Sequence, residues 1–159
     1  MEVTFPNATY HVQKAHWAWA TSPNPKEAGS FLERTFAPLK SAGQLHLLDG
    51  SGTLFPGISV RLVNGHTDAQ QIVKIADEER TLVYVADLLP TTHHLAPTWT
   101  MGYDIRPLQT IKEKSDFLER AVEERWNLFF EHDPEVALAS LDETDRGIEV
   151  VEERSLGEL

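Results

Sequence analysis

The sequence predicts a mixed α/β fold, in which a largely antiparallel sheet is flanked by helices. Short runs of alternating apolar and polar residues, such as Ile58–Val63, recur between clusters of turn residues, as strands do. Two other segments, one after Asn24 and one after Thr110, carry apolar residues at helical spacing. Two of the strand pairs are separated only by short polar turns, which favours antiparallel hairpins.

Composition limits the possible functions. The chain has 159 residues, 41% of them hydrophobic and 25% charged, which suits one domain with a sizeable core or a large piece of a bigger domain. Its 14 basic and 25 acidic residues give a net charge of −11, so we expect no nucleic-acid partner. The chain has no apolar run of about 18 residues and no secretory signal pattern, so we expect no membrane partner. Cysteine is absent, which leaves His and carboxylates as metal ligands and fits a cytoplasmic protein.

We expect residues 1–159 to form a single domain, with residues 142–159 supplying an acidic turn, the last strand and a tail. In the first part, residues 8–13 and 44–48 have strand patterns. Between them, Asn24, Pro25 and Glu27 resemble the N-cap, first position and capping acid of a helix that ends at Gly43. Pro38 is expected to kink or shorten that helix.

The second part is predicted to be the main sheet. A capping box at Thr110 and Glu113 predicts a helix between its strands. The expected strands are Ile58–Val63, residues 71–76 and 81–86 as a hairpin, residues 127–130, and residues 136–141 and 148–152 as a second hairpin.

Three of these strands lead to a potential metal ligand. His66 follows the strand that ends at Val63, Asp87 follows the buried run 82–86, and His132 follows Phe130. A carboxylate at the end of a buried strand is costly unless a partner or a cation compensates it. Strand ends that meet at one edge of a sheet would bring the three side chains together. From the residues alone, satisfied polar groups at strand ends remain the alternative.

Three motifs occur in order: GHT at residues 65–67, VADLLPTTHHL at 85–95 and LFFEHDPEVAL at 128–138. From residue 5 to about residue 141 the chain resembles the C-terminal half of metallo-β-lactamase-fold hydrolases. The resemblance implies half of an αββα sandwich and a site for two metal ions, usually zinc and sometimes iron or manganese. His66 would complete the first metal site, Asp87 would bridge both metals and be the catalytic carboxylate, and His132 would complete the second. A water shared by the metals would attack a carbonyl or phosphoryl centre.

The chain departs from the family pattern in two places. Residues 68–70 read Asp-Ala-Gln where the family has Pro-Gly-His or Pro-Gly-Gln, which alters the turn behind His66. The upstream motif HxHxDH is absent, and His11 and His16 have the wrong spacing to replace it. We therefore expect the metal in this chain alone to be weakly bound, substoichiometric or absent, and the chain alone to be inactive.

The absent upstream motif leaves several outcomes open. One sheet of the sandwich would present an exposed apolar face, prone to association. A complementing N-terminal chain would cover it, or the chain would form a homo-oligomer, or it is a truncated product, or it has taken a non-catalytic role. The two functional hypotheses are a metal-dependent hydrolase of an ester, lactone, amide or thioester, acting on a small-molecule substrate once complemented, and a non-catalytic half-fold that self-associates or binds a partner.

Other polar and aromatic residues are assigned around this site. His93, His94, Trp99 and Tyr103 are expected to shape a substrate pocket, since they follow the bridging carboxylate along the chain. Asp133 either orients a ligand ring through a hydrogen bond or caps the turn at Pro134.

Overall fold

The computed structural model describes residues 3–158. The chain divides into two compact units, Met1–Gly50 and Ser51–Leu159. None of the helices in the described residues has the length and apolarity needed to cross a membrane.

The first unit is a small α/β arrangement. It contains strand β1 (Tyr10–Gln13), helices α1 (Lys14–Thr21) and α2 (Glu33–Ser41), and strand β2 (Leu45–Leu48). The two strands pair in parallel. The helices meet through Trp17 and Phe36, whose ring centroids are 5.4 Å apart in an edge-to-face arrangement. The strands predicted at 8–13 and 44–48 are thus confirmed, each slightly shortened.

The predicted helix start at Asn24 is wrong. The Asn24 side-chain oxygen accepts hydrogen bonds from the backbone N–H groups of Lys26 and Glu27, as an N-cap would, but only a turn follows. Glu27 is buried and accepts a 2.8 Å bond from the Trp19 indole, so it holds this turn instead of capping a helix. The helix begins at Glu33 and continues through Pro38 to Ser41.

The second unit is built on one seven-stranded sheet, in the order β3-β4-β5-β6-β7-β8-β9. All neighbours pair antiparallel except β6 and β7, which are parallel and are connected through helix α3. The elements are β3 (Gly52–Phe55), β4 (Ile58–Val63), β5 (Gln70–Ala76), β6 (Thr81–Tyr84), α3 (Pro107–Glu123), β7 (Asn127–Phe129), β8 (Leu138–Thr144) and β9 (Gly147–Arg154). The predicted class, a mixed and mostly antiparallel sheet flanked by helices, is confirmed, as are both hairpins.

The core of this unit lies between α3 and one face of the sheet. Phe117, Leu118 and Ala121 of α3 belong to the same buried cluster as Val83 of β6 and Leu128 of β7. These side chains are at most 1% exposed. The packing fixes the helix against the central strands, and it therefore fixes the loops at both ends of the helix.

The structure corrects two local predictions. Helix α3 begins at Pro107 and not at Thr110, because Pro suits the first helical position. Thr110 is buried inside the helix, and Glu113 accepts hydrogen bonds from the backbone N–H groups of Asn64 and Gly65 and forms no capping box. Strand β6 ends at Tyr84, so Asp87 lies in a following 3₁₀ turn, Ala86–Leu88.

Candidate metal centre

The candidate site lies at one edge of the seven-stranded sheet. Strands β4, β6 and β7 end there, and β5 begins there, because Val63 pairs with Gln70 and Tyr84 pairs with both Val73 and Phe129. The segments that follow β4, β6 and β7 therefore emerge side by side. They carry His66, Asp87 and His132.

The structure brings these three side chains together around the Asp87 carboxylate. Its Oδ2 atom lies 3.4 Å from Nε2 of His66, and its Oδ1 atom lies 3.2 Å from Nε2 of His132. The Gln70 amide nitrogen donates to Oδ2 at 3.3 Å. Each oxygen of one carboxylate thus faces one imidazole nitrogen.

Each of these two spacings fits a pair of ligands that bind the same cation. A hydrogen bond between a charged nitrogen and a carboxylate is about 2.7–2.9 Å long. The two separations around Asp87, 3.4 Å and 3.2 Å, are longer. Ligands that share a tetrahedral zinc ion at about 2.0–2.1 Å stand about 3.3–3.4 Å apart. A His and Asp donor set at this spacing is suited to zinc or another borderline divalent cation.

His66 is oriented by a buried acid. Its Nδ1 atom lies 2.9 Å from Oδ1 of Asp104, whose side chain is only 1% exposed. A carboxylate at Nδ1 favours the tautomer that keeps the proton there, which turns the lone pair of Nε2 toward Asp87. This is the arrangement found behind most metal-binding histidines.

The turn that carries His66 is fixed by the start of α3. Glu113 accepts from the backbone N–H groups of Asn64 and Gly65 at 2.9 Å. Arg106 donates to the Asn64 carbonyl at 2.7 Å, and its backbone N–H donates to the Gly65 carbonyl at 2.9 Å. Gly65 also lies against Thr110, so closely that a Cβ atom would come within 2.3 Å of the Thr110 hydroxyl. Only glycine fits at this approach.

Around His132 the site is open and acidic. Its side chain is 59% exposed, and its Nε2 atom lies 3.5 Å from Oε1 of Glu131. Ligand atoms of Asp87, Glu131 and His132 all lie within 4.8 Å of one another. The other carboxylate oxygen of Glu131 accepts a hydrogen bond from the Tyr84 hydroxyl. Burial and this carboxylate raise the pKa of Tyr84, so its hydroxyl keeps its proton as a donor.

Asp133 ties two of the loops together. Its carboxylate accepts from the backbone N–H and the hydroxyl of Thr92, and also from the backbone N–H groups of Glu135 and Val136. Burial acts to raise the pKa of Asp133, but these hydrogen bonds outweigh it and lower the pKa to about 2. Asp133 thus caps the turn at Pro134, and it joins the loop after Asp87 to the loop that carries His132.

The residues assigned to a pocket lie in the segment after Asp87. His93 is exposed, and Trp99 and Tyr103 are 62% and 75% exposed. His94 is partly buried, and its Nδ1 atom lies 2.8 Å from the Thr91 hydroxyl. Burial and then the Lys114 charge lower the pKa of His94. The pocket role of these four side chains stays a prediction.

Sequence reasoning gave no role to Asp104 or Glu131. Asp104 is 38 residues from His66, so no local pattern links the two. Glu131 could have been noticed, since it directly precedes a predicted ligand at the end of a buried strand. In the sequence Gln70 is only part of a departure from the family pattern, but in the structure its amide donates to Asp87.

Comparisons with known proteins identify the fold. No family model matches the chain. No curated protein matches it either. A probable metal-dependent hydrolase from Staphylococcus aureus matches 98% of the chain with a TM-score of 0.85 and 24% identity. AidC, a dizinc quorum-quenching lactonase solved in complex with a product, matches 98% with a TM-score of 0.80 and 21% identity. The hydrolase AbOPH of the β-lactamase superfamily matches 95% with a TM-score of 0.79 and 15% identity.

The match covers only part of each of these proteins. The chain spans 56% of the Staphylococcus aureus hydrolase, 58% of AidC and 57% of AbOPH. Because the match to the Staphylococcus aureus protein includes 98% of this chain, it includes the segments of this chain that carry the GHT, VADLLPTTHHL and LFFEHDPEVAL motifs. The chain therefore has the metallo-β-lactamase fold over about half of the length of these proteins, which is consistent with a C-terminal half.

Proposed function

We propose that this protein is a metal-dependent hydrolase that cleaves an ester, lactone, amide or thioester bond in a small molecule. The observation that carries the proposal is the placement of the His66 and His132 Nε2 atoms at 3.4 Å and 3.2 Å from the two oxygens of Asp87. The similar structures include the protein described as a probable metal-dependent hydrolase and a dizinc lactonase, which supports the same chemistry.

In this proposal the ligand pairs are His66 with Asp87 and His132 with Asp87, and Glu131 lies beside the second pair as a further ligand. A divalent cation, when bound, supplies a Lewis acid and brings the pKa of water toward neutrality. Asp104 holds the ring of His66 in the tautomer that presents Nε2. Asp87 uses both carboxylate oxygens, so one residue sets the spacing between the two rings. His132, which is largely exposed, leaves room for a substrate to approach.

We also propose that full activity needs ligands beyond those of residues 3–158. The sequence has no HxHxDH motif, and the chain spans a little over half of the similar proteins. A complementing N-terminal segment that carries such a motif would supply the remaining ligands and would cover the second face of the sheet. Without such a segment the cation is expected to bind weakly.

Metal binding is the first test. The purified chain is dialysed against zinc, iron or manganese, and its metal content is measured by mass spectrometry with that of His66→Ala, His132→Ala and the control His46→Ala. His46 is an exposed histidine of the first unit. With the metal kept in excess in the dialysis buffer, we expect weak, saturable binding in the wild type and the control, and a clear loss in the two site variants. Equal metal content in all four proteins would disprove the assignment.

Hydrolysis is the second test. The chain is mixed with a separately produced N-terminal segment from a similar hydrolase, and the release of acid from lactones, esters and thioesters is followed. We expect turnover that needs both the segment and the metal and that disappears in Asp87→Asn. Metal binding without turnover of any of these classes, with the segment bound, would refute the hydrolase proposal and leave a metal-binding protein.

A further inference from the structure

A separate cavity of about 210 Å³ lies in the second unit. Its lining includes Ser59 and Arg61 of β4, Lys74 of β5, Arg120 of α3, and Trp126 just before β7. None of these residues belongs to the candidate metal centre. Three of the five carry a positive charge, in a chain whose net charge is −11.

The strand register explains why the cations gather. Ser59 pairs with Lys74, and Arg61 pairs with Ile72, so these four side chains share one face of the sheet. It is the face that α3 covers, because Ile72 lies in the same buried cluster as Phe117. The cavity therefore lies between this face of the sheet and the helix.

Two of the cations already have an acidic partner. Glu124 accepts from Lys74 Nζ at 2.8 Å, from Arg120 Nη2 at 2.7 Å and from the Trp126 indole at 2.9 Å. The hydrogen bonds from Lys74 and then Arg120 lower the pKa of Glu124 to about 2. The same two cations lie over the Trp126 ring, at 4.7 Å and 5.4 Å from its centroid. These contacts hold both side chains in place.

Arg61 differs from both. Its Nη1 atom is buried and has no hydrogen-bond partner in residues 3–158. A guanidinium is always charged, and leaving one of its buried N–H groups without an acceptor is costly. The cluster holds three positive charges, on Arg61, Lys74 and Arg120, against the single carboxylate of Glu124. An anion in this cavity would accept a hydrogen bond from the unpaired nitrogen and would balance the excess positive charge.

We propose that this cavity binds a small oxyanion, a phosphate or a carboxylate, with Arg61 as its principal ligand. The planar fork of a guanidinium matches two oxygens of such an anion. Lys74 contributes charge and, like the Ser59 hydroxyl, a donor at the cavity wall. A volume of about 210 Å³ admits a small ion but not a drug-sized ligand. The overall negative charge of the chain repels anions elsewhere, so binding here reflects the local cluster.

The test is a titration of the full-length chain with inorganic phosphate and, separately, with acetate, at an ionic strength held constant with sodium chloride. Binding is followed by calorimetry and by tryptophan fluorescence, because Trp126 lines the cavity. We expect saturable binding of at least one of the two anions, and the arm that saturates identifies the class. We expect Arg61→Met to weaken it by at least about tenfold, the loss of one charged hydrogen bond.

Controls separate this site from general charge effects. Arg80→Met removes an exposed arginine in the turn between β5 and β6 and should leave binding unchanged. Trp126→Phe should remove the fluorescence response but not the calorimetric one. Circular dichroism and thermal melting confirm that each variant is folded, and Arg61→Lys provides a second variant that keeps the charge but loses the fork. The proposal is overturned if neither anion saturates, if chloride competes equally well, or if folded Arg61→Met binds like the wild type.

Discussion

The close approach of Gly65 to α3 gives a sharp test of how the turn before His66 is built. A Cβ atom at position 65 would lie 2.3 Å from the Thr110 hydroxyl oxygen, 2.5 Å from its backbone nitrogen and 2.6 Å from its Cα atom. Unstrained contacts between carbon atoms are about 3.5–4.0 Å. The change Gly65→Ala therefore forces a separation of roughly 1 Å between the turn and the first turns of the helix.

The loss of stability in Gly65→Ala can be estimated from the contacts that this separation disrupts. Overpacking a filled site typically costs about 1–3 kcal/mol. The same movement stretches the hydrogen bonds from the Asn64 and Gly65 N–H groups to Glu113, and bonds to a charged group are worth about 1.5–3 kcal/mol each. We expect Gly65→Ala to lower the free energy of unfolding by about 3 kcal/mol, or the melting temperature by roughly 10 °C. Trimming the neighbour in Gly65→Ala/Thr110→Ala should not restore stability, because two of the three close atoms are backbone.

The assay is urea denaturation followed by circular dichroism, with Gly102→Ala as the matched control. Gly102 lies in the loop before α3, and a Cβ atom there meets nothing within 4 Å. We expect the control to change stability by no more than about 0.5 kcal/mol. If Gly65→Ala unfolds at the same urea concentration as Gly102→Ala, the close packing of this turn against α3 is wrong. Full rescue by Thr110→Ala would show that only a flexible side chain, and not the helix backbone, blocks the site.

Three further changes probe the groups that support the site. Asp104→Asn should lower zinc affinity by about 10–100-fold in competition with a chelator, because His66 loses the carboxylate at Nδ1, whereas exposed Asp116→Asn should have no effect. Burial lowers the pKa of Lys114 to about 8, although the charge of Asp104 partly offsets this effect. Between pH 8 and about 10.5 the unfolded chain therefore holds a proton that the folded chain has released, and the free energy of unfolding of the wild type should rise by about 1–3 kcal/mol relative to that of Lys114→Met. A difference that does not change with pH over this window would refute the prediction. Hydrogen bonds lower the pKa of Asp133 to about 2, so its stabilisation is present above pH 4 and is lost as the pH falls through 2. In matched denaturation curves Asp133→Asn should therefore cost about 1 kcal/mol at pH 7, after allowance for solvent screening, and this cost should disappear below pH 2.

The sequence was most informative where the chain pattern is regular. Alternation and short turns predicted both hairpins of the main sheet, and motif order predicted which strand ends carry His66, Asp87 and His132. Helix starts were predicted less well, because side chains that suit a cap were used by other contacts. Glu113 has the spacing of a capping acid after Thr110, but its carboxylate accepts from a turn nearly fifty residues earlier.

Long-range partners could not be predicted at all. Asp104 holds His66 across 38 residues, and nothing in the residues around either one records the pairing. Arg61 reads as an ordinary polar residue on one face of a strand. Arg61 lies in a cavity beside Lys74 and Arg120 only because β4 pairs with β5 in this register and because α3 packs over that face of the sheet. Such groups depend on how the elements pack and not on their local pattern.

Backbone conformation adds independent support for a functional edge. Among residues 3–158, the non-glycine residues with positive φ are Ala69, Ala86 and Arg125, at 53°, 46° and 54°. Arg125 directly follows the C-cap of α3, where left-handed residues are common. The two alanines do not follow a helix, and each costs about 1–2 kcal/mol in this conformation. Ala86 immediately precedes Asp87, and Ala69 precedes Gln70, whose amide reaches the same carboxylate. Glycine at positions 69 and 86 would remove this strain. Backbone strain that is kept beside a single acid, here Asp87, is typical of functional sites and does not serve stability.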